Sequence, residues 1–194
     1  MIGTALKVIM MAFGPFVSGF ADREPFCYYP KIFKPSMIAR RKAVDIDKYM
    51  GKWYDISHKE AGFQDQCECS TANYTFDKAA NEVKVNNKCL TKEGKKRDGI
   101  NGYAVPLNDD NTHLEVHFTP IIAGNYWILH IDEDENGNYQ HVIVGEPCKL
   151  FLWFLSRTET ISDEQHQKMI AIAEDKGFDT SNMIQRPKDC KGLQ

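Results

Sequence analysis

Val44-Asp45-Ile46-Asp47-Lys48-Tyr49-Met50-Gly51-Lys52-Trp53-Tyr54 is the stretch on which the fold turns. Before it, residues 22–43 are aromatic, basic and broken by proline, with no clean period, and read as an irregular leader. After it, short runs rich in Val, Ile, Tyr, Phe and Thr recur between turn residues. Strands are predicted over residues 52–59, 69–76, 82–90, 99–106, 113–119, 125–131, 139–145 and 150–157. They lie roughly ten residues apart, mostly across short loops, the pattern of a sandwich or an up-and-down barrel. One helix is expected. Ser162 caps it with Gln165 three residues on, Met169, Ile170, Ile172 and Ala173 form an apolar stripe, and Gly177 stops it.

Alternation assigns faces within the strands. Leu114, Val116 and Phe118 share one face, and His113, Glu115 and His117 the other. Ala72, Tyr74 and Phe76 fall together, as do Val83 and Val85. Over residues 125–131, Tyr126, Ile128 and His130 oppose Trp127, Leu129 and Ile131. Both faces there are apolar, so one is expected under the helix. A closed eight-stranded barrel is just wide enough to be filled or to hold one small ligand. Alternation fits either.

The chain has 194 residues, 42% of them hydrophobic and 26% charged, with a net charge of -3. This suits one globular domain with a sizeable core and argues against nucleic acid as a partner. Lys95-Lys96-Arg97 and Arg40-Arg41-Lys42 read as solvated segments. Met1–Ala21 carries Lys7 and then an apolar run over 8–20, too short and too Gly/Pro-broken to span a bilayer. It ends in Gly19-Phe20-Ala21, so residues 1–21 read as a cleaved secretory signal. Residues 22–43 are then the leader and 44–190 the domain. The six cysteines, Cys27, Cys67, Cys69, Cys89, Cys148 and Cys190, all follow the signal. An even count in an exported chain points to disulfides. A zinc site would prefer Cys-x-x-Cys pairs and nearby His, whereas Cys67-Glu68-Cys69 has none.

The quoted stretch resembles a lipocalin. Gly51–Tyr54 is similar to the family's first signature, Ile131-Asp132 with Tyr139 to a loosened second, and Leu155-Ser156-Arg157-Thr158 to the third. The likeness runs from Val44 to Cys190 with the three blocks in order. Within the family it resembles the branch of apolipoprotein D, the bacterial outer-membrane lipocalins and the plastid lipocalins. Leu114-Glu115-Val116-His117-Phe118 and Tyr126-Trp127-Ile128-Leu129 are similar to the first. Leu152-Trp153-Phe154-Leu155-Ser156-Arg157-Thr158 is similar to the second, and Cys67-Glu68-Cys69 with Cys89 and Asp189-Cys190 to the third.

The resemblance implies an all-β fold: an eight-stranded antiparallel up-and-down β-barrel with one C-terminal α-helix packed outside. It implies that Trp53 closes the barrel floor with Arg157 across it, so that Gly51, Trp53 and Arg157 are structural rather than catalytic. Inward positions would line a ligand cavity: Ala72, Tyr74, Val83, Val85, Val116, Phe118, Tyr126, Ile128, Val142, Val144, Phe151 and Trp153. Trp153 matches a ligand-facing position of the apolipoprotein D-like members, with packing in the core as the rival role. The implied ligand is a fatty acid, lysophospholipid, sterol or pigment, bound and transported or sequestered with no cofactor. The alternative is a lipocalin-fold enzyme acting on a lipid or carotenoid, for which an unpaired, reactive Cys89 would be the sign.

The resemblance pairs Cys69 with Cys190. A hairpin would bring Cys67 to Cys89, but regular alternation sets them on opposite faces, so a bulge or loop is required. Cys27 with Cys148 remains by elimination. His113 and His117 are expected on an exposed face, and His130 as a satisfied core residue or a lining one. No metal site or catalytic constellation stands out. Asn73-Tyr74-Thr75 is an N-glycosylation sequon with Asn73 outward. A secreted monomer or weak dimer is expected (periplasm or plastid lumen in other hosts), with room for peripheral membrane contact.

Overall fold

The computed structural model describes residues 42–190 except 63, 65, 120 and 121. The signal over 1–21, nearly all of the leader and Cys27 lie outside the described residues. A single turn, α1 (Ile46–Tyr49), leads into β1 (Gly51–Lys59), β2 (Cys67–Asp77), β3 (Glu82–Thr91) and β4 (Lys96–Pro106). Then follow β5 (His113–Thr119), β6 (Ile122–Glu133), β7 (Tyr139–Gly145), β8 (Leu152–Ser156), α2 (Asp163–Asp175) and β9 (Met183–Gln185). Strands β2 to β8 pair in sequence order, and β1 pairs with both β8 and β2. The sheet therefore closes as an eight-stranded antiparallel up-and-down barrel.

Tight turns make the meander. At the β2–β3 hairpin Asp77 Oδ1 accepts from the Ala79 and Ala80 amides, and Asn81 takes a left-handed φ of 54°. Strand β9 is an addition to the eight expected strands. Its Met183, Ile184 and Gln185 pair with Lys59, His58 and Ser57, beyond the Gly51–Tyr54 segment of β1 that pairs with β2. Too short to carry a period, β9 exists because β1 leaves its upper edge unpaired.

The two faces of the sheet bury two different cores. Inside, Trp53, Val83, Val85, Val116, Ile128, Val142 and Val144 pack together. Outside, Trp127, Leu129, Ile143, Leu152 and Phe154 are covered by Met169 and Ala173 of α2 and by Phe178. The helix begins at Ser162, whose Oγ accepts from the Gln165 amide at 3.1 Å. It ends at Gly177, at φ +81°, a conformation costly for residues with a Cβ. It is tied to the barrel by His166 Nε2, 3.1 Å from Ser57 Oγ, and by Gln165 and Lys168, which donate to Asp132.

Bulges change the phase along several strands, β6 and β1 among them. In β6 the register shifts between Ile128 and His130, so Tyr126 and Ile128 face inward but Ile131 does too. His130 therefore does not line the barrel. It pairs across from Ile143 on the outer surface and bonds Asp132 Oδ1 at 3.0 Å. In β1 the shift between Asp55 and Ser57 keeps Trp53 and Asp55 on the inner side, sends Ser57 out to His166, and brings His58 opposite Trp153. His113 also departs from expectation. It is buried on the outer face against Trp127, ring centroids 4.7 Å apart, because that face is covered there rather than solvated. His117 is partly buried and stacks on Tyr103.

One end of the barrel is closed by the segment the sequence opens on. Trp53 is fully buried, and its Nε1 donates to the Tyr49 carbonyl at 2.9 Å. The Arg157 guanidinium lies 3.7 Å from the Trp53 ring centroid. Its Nη1 donates to the Lys52 carbonyl, and its Nη2 to the carbonyls of Lys48, Tyr49 and Met50. Gly51 is held at φ +92°, and a Cβ there would sit 3.4 Å from Arg157 Nη1.

Trp53→Ala should cost about 3–5 kcal/mol, the range for emptying a fully buried aromatic site. The expected result is a large fall in melting temperature; a variant of native stability that has lost only ligand binding would contradict the structural role. A second expectation concerns Asp132. Burial alone would raise its carboxyl, but hydrogen bonds from His130, Lys168 and Gln165 outweigh that and hold it well below the usual carboxylate range. A carboxyl depressed in the folded state stabilises above its unfolded value, about 3.9, and that contribution fades as pH falls toward the folded value. Asp132→Asn should therefore melt below the native protein near neutral pH, and the gap should shrink in acid.

Candidate ligand site

The barrel interior is layered by register. Nearest the Trp53 floor, three phenols meet. Tyr49 Oη lies 2.7 Å from Tyr126 Oη, which lies 3.2 Å from Tyr74 Oη. Tyr49 also stacks on Tyr74 at 5.8 Å between centroids. Burial, the largest cause, pushes all three phenols well above their ordinary value, and the charge of a neighbouring phenol adds to it in each, although the hydrogen bond with Tyr126 lowers Tyr49 and that with Tyr74 lowers Tyr126. They are therefore neutral, hydrogen-bonding groups.

Toward the opposite end lies a buried polar cluster. Asp55 and His58 are each 6% exposed, and Asp55 Oδ2 meets His58 Nδ1 at 2.9 Å. Gln64, on the β1–β2 loop, donates from Nε2 to Asp55 Oδ2 at 2.6 Å and to Ser70 Oγ at 3.2 Å. Its Oε1 accepts from Trp153 Nε1 at 3.1 Å. One amide thus ties β1, β2 and β8 together on the inner face. Among the described residues, Asp55 Oδ1 is buried with no hydrogen-bond partner, and so is Asn87 Oδ1. Asn87 pairs with Ala72 across β2–β3.

The structure places the lining candidates as follows. Tyr74, Val83, Val85, Val116, Ile128, Val142 and Val144 are buried in the inner core, with Ala72, Phe118, Tyr126 and Trp153 packed on it and partly open. Phe151 stands apart: it precedes β8 and stacks on Trp153 at 5.8 Å. Asn73, out of phase with Ala72 and Tyr74, is exposed.

Two disulfides are described. Cys69 joins Cys190, 121 residues away, on the outer side with Leu90. Closing so long a loop restricts the unfolded chain by about 4–5 kcal/mol on the chain-entropy account. Cys67 joins Cys89, and the register shift between Cys67 and Cys69 is the bulge that lets them meet. Cys148 is disulfide-bonded as well. Beside Cys69, a cleft of about 230 Å³ opens among Glu68, Leu90, Thr91, Lys92, Gly94 and Asp189. Among the described residues no three His, Cys, Asp or Glu side chains converge to hold a metal ion.

Tyr49, Asp55, His58, Gln64, Ser70 and Asn87 were not singled out from the sequence. The signal for Asp55 was present, since it follows Trp53 by two residues on the same face. For Asn87 and Ser70 the same alternation, carried on from Val85 and Ala72, would have served. His58 depends on the β1 bulge and Gln64 on a loop conformation, which no period reports.

The sequence profile of the lipocalin-like domain matches residues 44–188. Temperature-induced lipocalin-1 of Arabidopsis thaliana is 33% identical over 157 residues, covering 76% of this chain and 81% of that protein. Outer membrane lipoprotein Blc of Citrobacter freundii is 33% identical over 141 residues, covering 72% and 77%. Insecticyanin from the tobacco hornworm Manduca sexta superposes with a TM-score of 0.62 at 16% identity, covering 78% of this chain and 85% of that one; this likeness is one of fold alone.

Alkaline titration followed by tyrosinate absorbance should leave three of the eight tyrosines un-ionised until the protein unfolds. Tyr126→Phe should reduce that late-titrating group; full ionisation in a single step below the unfolding pH would contradict the buried triad.

Proposed function

This chain belongs to the lipocalin family, which binds small hydrophobic ligands, and from that premise we propose that it carries or sequesters one such molecule in its barrel without altering it chemically. The observation that carries the reading is the difference along the interior. Trp53 is sealed at the floor, whereas the inward-facing Ala72, Phe118, Tyr126 and Trp153 keep part of their surface open. An apolar wall with a few placed polar groups is the usual form of a small-molecule site. An enzyme using Cys89 would need a free thiol, and Cys89 is bonded to Cys67.

The same reading takes the protein out of the cytoplasm. Disulfides persist in oxidising compartments, and the signal-like start over residues 1–21 supports export. Asn73, exposed on β2, is the expected glycan acceptor where the host attaches N-glycans.

Native mass spectrometry of the purified protein, with solvent extraction of bound lipid, tests the carrier role. The expected result is one hydrophobic guest per chain, or stoichiometric uptake of an apolar fluorescent probe by the emptied barrel. A protein that retains no guest and takes up no probe would overturn it.

A further inference from the structure

The proposed carrier role leaves the ligand's chemistry open across acids, sterols and pigments. The polar cluster above the tyrosines narrows it. We propose that the ligand's polar end is a hydrogen-bond donor, a hydroxyl or a primary ammonium, received by Asp55, and that a free fatty carboxylate is the disfavoured head group. The inference rests on the carrier reading and sharpens it.

Asp55 belongs to the barrel interior. It lies two residues beyond Trp53 and pairs across the sheet with Leu155, a member of the inner core. Its two oxygens differ. Oδ2 is engaged by His58 and Gln64. Oδ1 is buried and, among the described residues, unpartnered. Burying a carboxylate oxygen without a donor is costly, and a ligand donor that fills the position recovers the cost.

The surroundings sort the ligands that could do so. Asn87 Oδ1 is a second buried acceptor without a partner, and its strand neighbour Ala72 packs on the inner core. The amide and indole donors of the cluster are already committed: Gln64 Nε2 to Asp55 and Ser70, and Trp153 Nε1 to Gln64 Oε1. Arg186, whose charge acts on Asp55, has its Nη2 buried without a hydrogen-bond partner, but it lies over Tyr54, out of phase with the inward Trp53, and its Nη1 donates to the Ser70 carbonyl. An alcohol or amine brings protons to oxygens that lack them. A fatty carboxylate brings only acceptors, and sets a second negative charge beside the first. The open apolar residues Ala72, Phe118 and Trp153 supply the wall for its alkyl part.

The test uses the full chain and three ligands of equal chain length: 1-dodecanol, dodecylamine and laurate. Each competes for the barrel against the hydrocarbon probe 1,6-diphenyl-1,3,5-hexatriene, which has no hydrogen-bonding group. The alcohol or the amine should displace the probe at a concentration about tenfold below that needed for laurate, the scale of one buried hydrogen bond. Which of the two is stronger identifies a neutral or a cationic head group. Asp55→Asn replaces the bare oxygen with an amide that itself donates, and should erase or reverse the preference, read as the ratio of displacing concentrations measured on the variant against its own probe affinity. Laurate binding as tightly as the other two to the native protein overturns this proposal and leaves the carrier role standing. Preference unchanged in Asp55→Asn overturns it as well. A native protein that binds no probe overturns both. Should Asp55→Asn lose the native melting transition, the comparison on the native protein decides alone.

Discussion

The fold depends on a cation held against an indole at the bottom of a barrel. Arg157 is the first residue past β8, and Trp53 is the third of β1; 104 positions separate them along the chain. Their contact at 3.7 Å joins the last barrel strand to the first. Desolvated, such a contact is worth about 2 kcal/mol. It brings more than that, because the same guanidinium collects carbonyls from Lys48, Tyr49, Met50 and Lys52. Those carbonyls end the α1 turn and begin β1, where the helical ladder no longer supplies donors. Gly51 stands between them, with a backbone that few other residues adopt and with no Cβ to press on the arginine.

With the floor fixed, the sheet is free to use both of its faces. A sheet that faced water on one side would alternate cleanly between polar and apolar. This one does so only in part, because α2 covers Trp127, Leu129, Ile143, Leu152 and Phe154. The helix is held there by apolar packing and by a polar edge, where Asp132 takes hydrogen bonds from His130, Gln165 and Lys168. Bulges reconcile the two faces. Each adds one residue to one strand and so exchanges inside for outside beyond it. The bulge in β6 turns Ile131 inward, the one in β1 brings His58 inward, and the one in β2 carries Cys67 to Cys89.

Inside, polarity is graded. The floor is aromatic, three phenols joined through Tyr126 follow, and the far part holds Asp55, His58 and Gln64. A wholly apolar barrel would select ligands by shape and area alone. Groups with unmet hydrogen bonds select by chemistry, since a ligand that fails to satisfy them leaves their burial uncompensated. The proposed ligand preference comes from these groups and not from the aliphatic lining.

The sequence by itself determined the elements: strand-length runs between turn residues and a capped helix after the last strand are local properties, written in composition and period. Those fit a sandwich or a barrel, and it was the resemblance of the ordered blocks around Trp53 and Arg157 to the lipocalin signatures that implied the barrel. Within single strands it also grouped Ala72 with Tyr74, Val83 with Val85, and Leu114 with Val116 and Phe118, since alternation is enforced by the pleat of each strand. The tertiary structure alone decided the rest. It decided where the alternation breaks, and with it the positions of His58, His130 and Cys67, because a bulge is fixed by pairing with a neighbour and not by the strand's own residues. It buried His113, because exposure depends on what covers a face. It added β9, because three residues form a strand only against an edge that another element leaves open. And it brought Gln64 from a loop onto Asp55 and Trp153, a convergence of three distant segments that exists only once the barrel has closed.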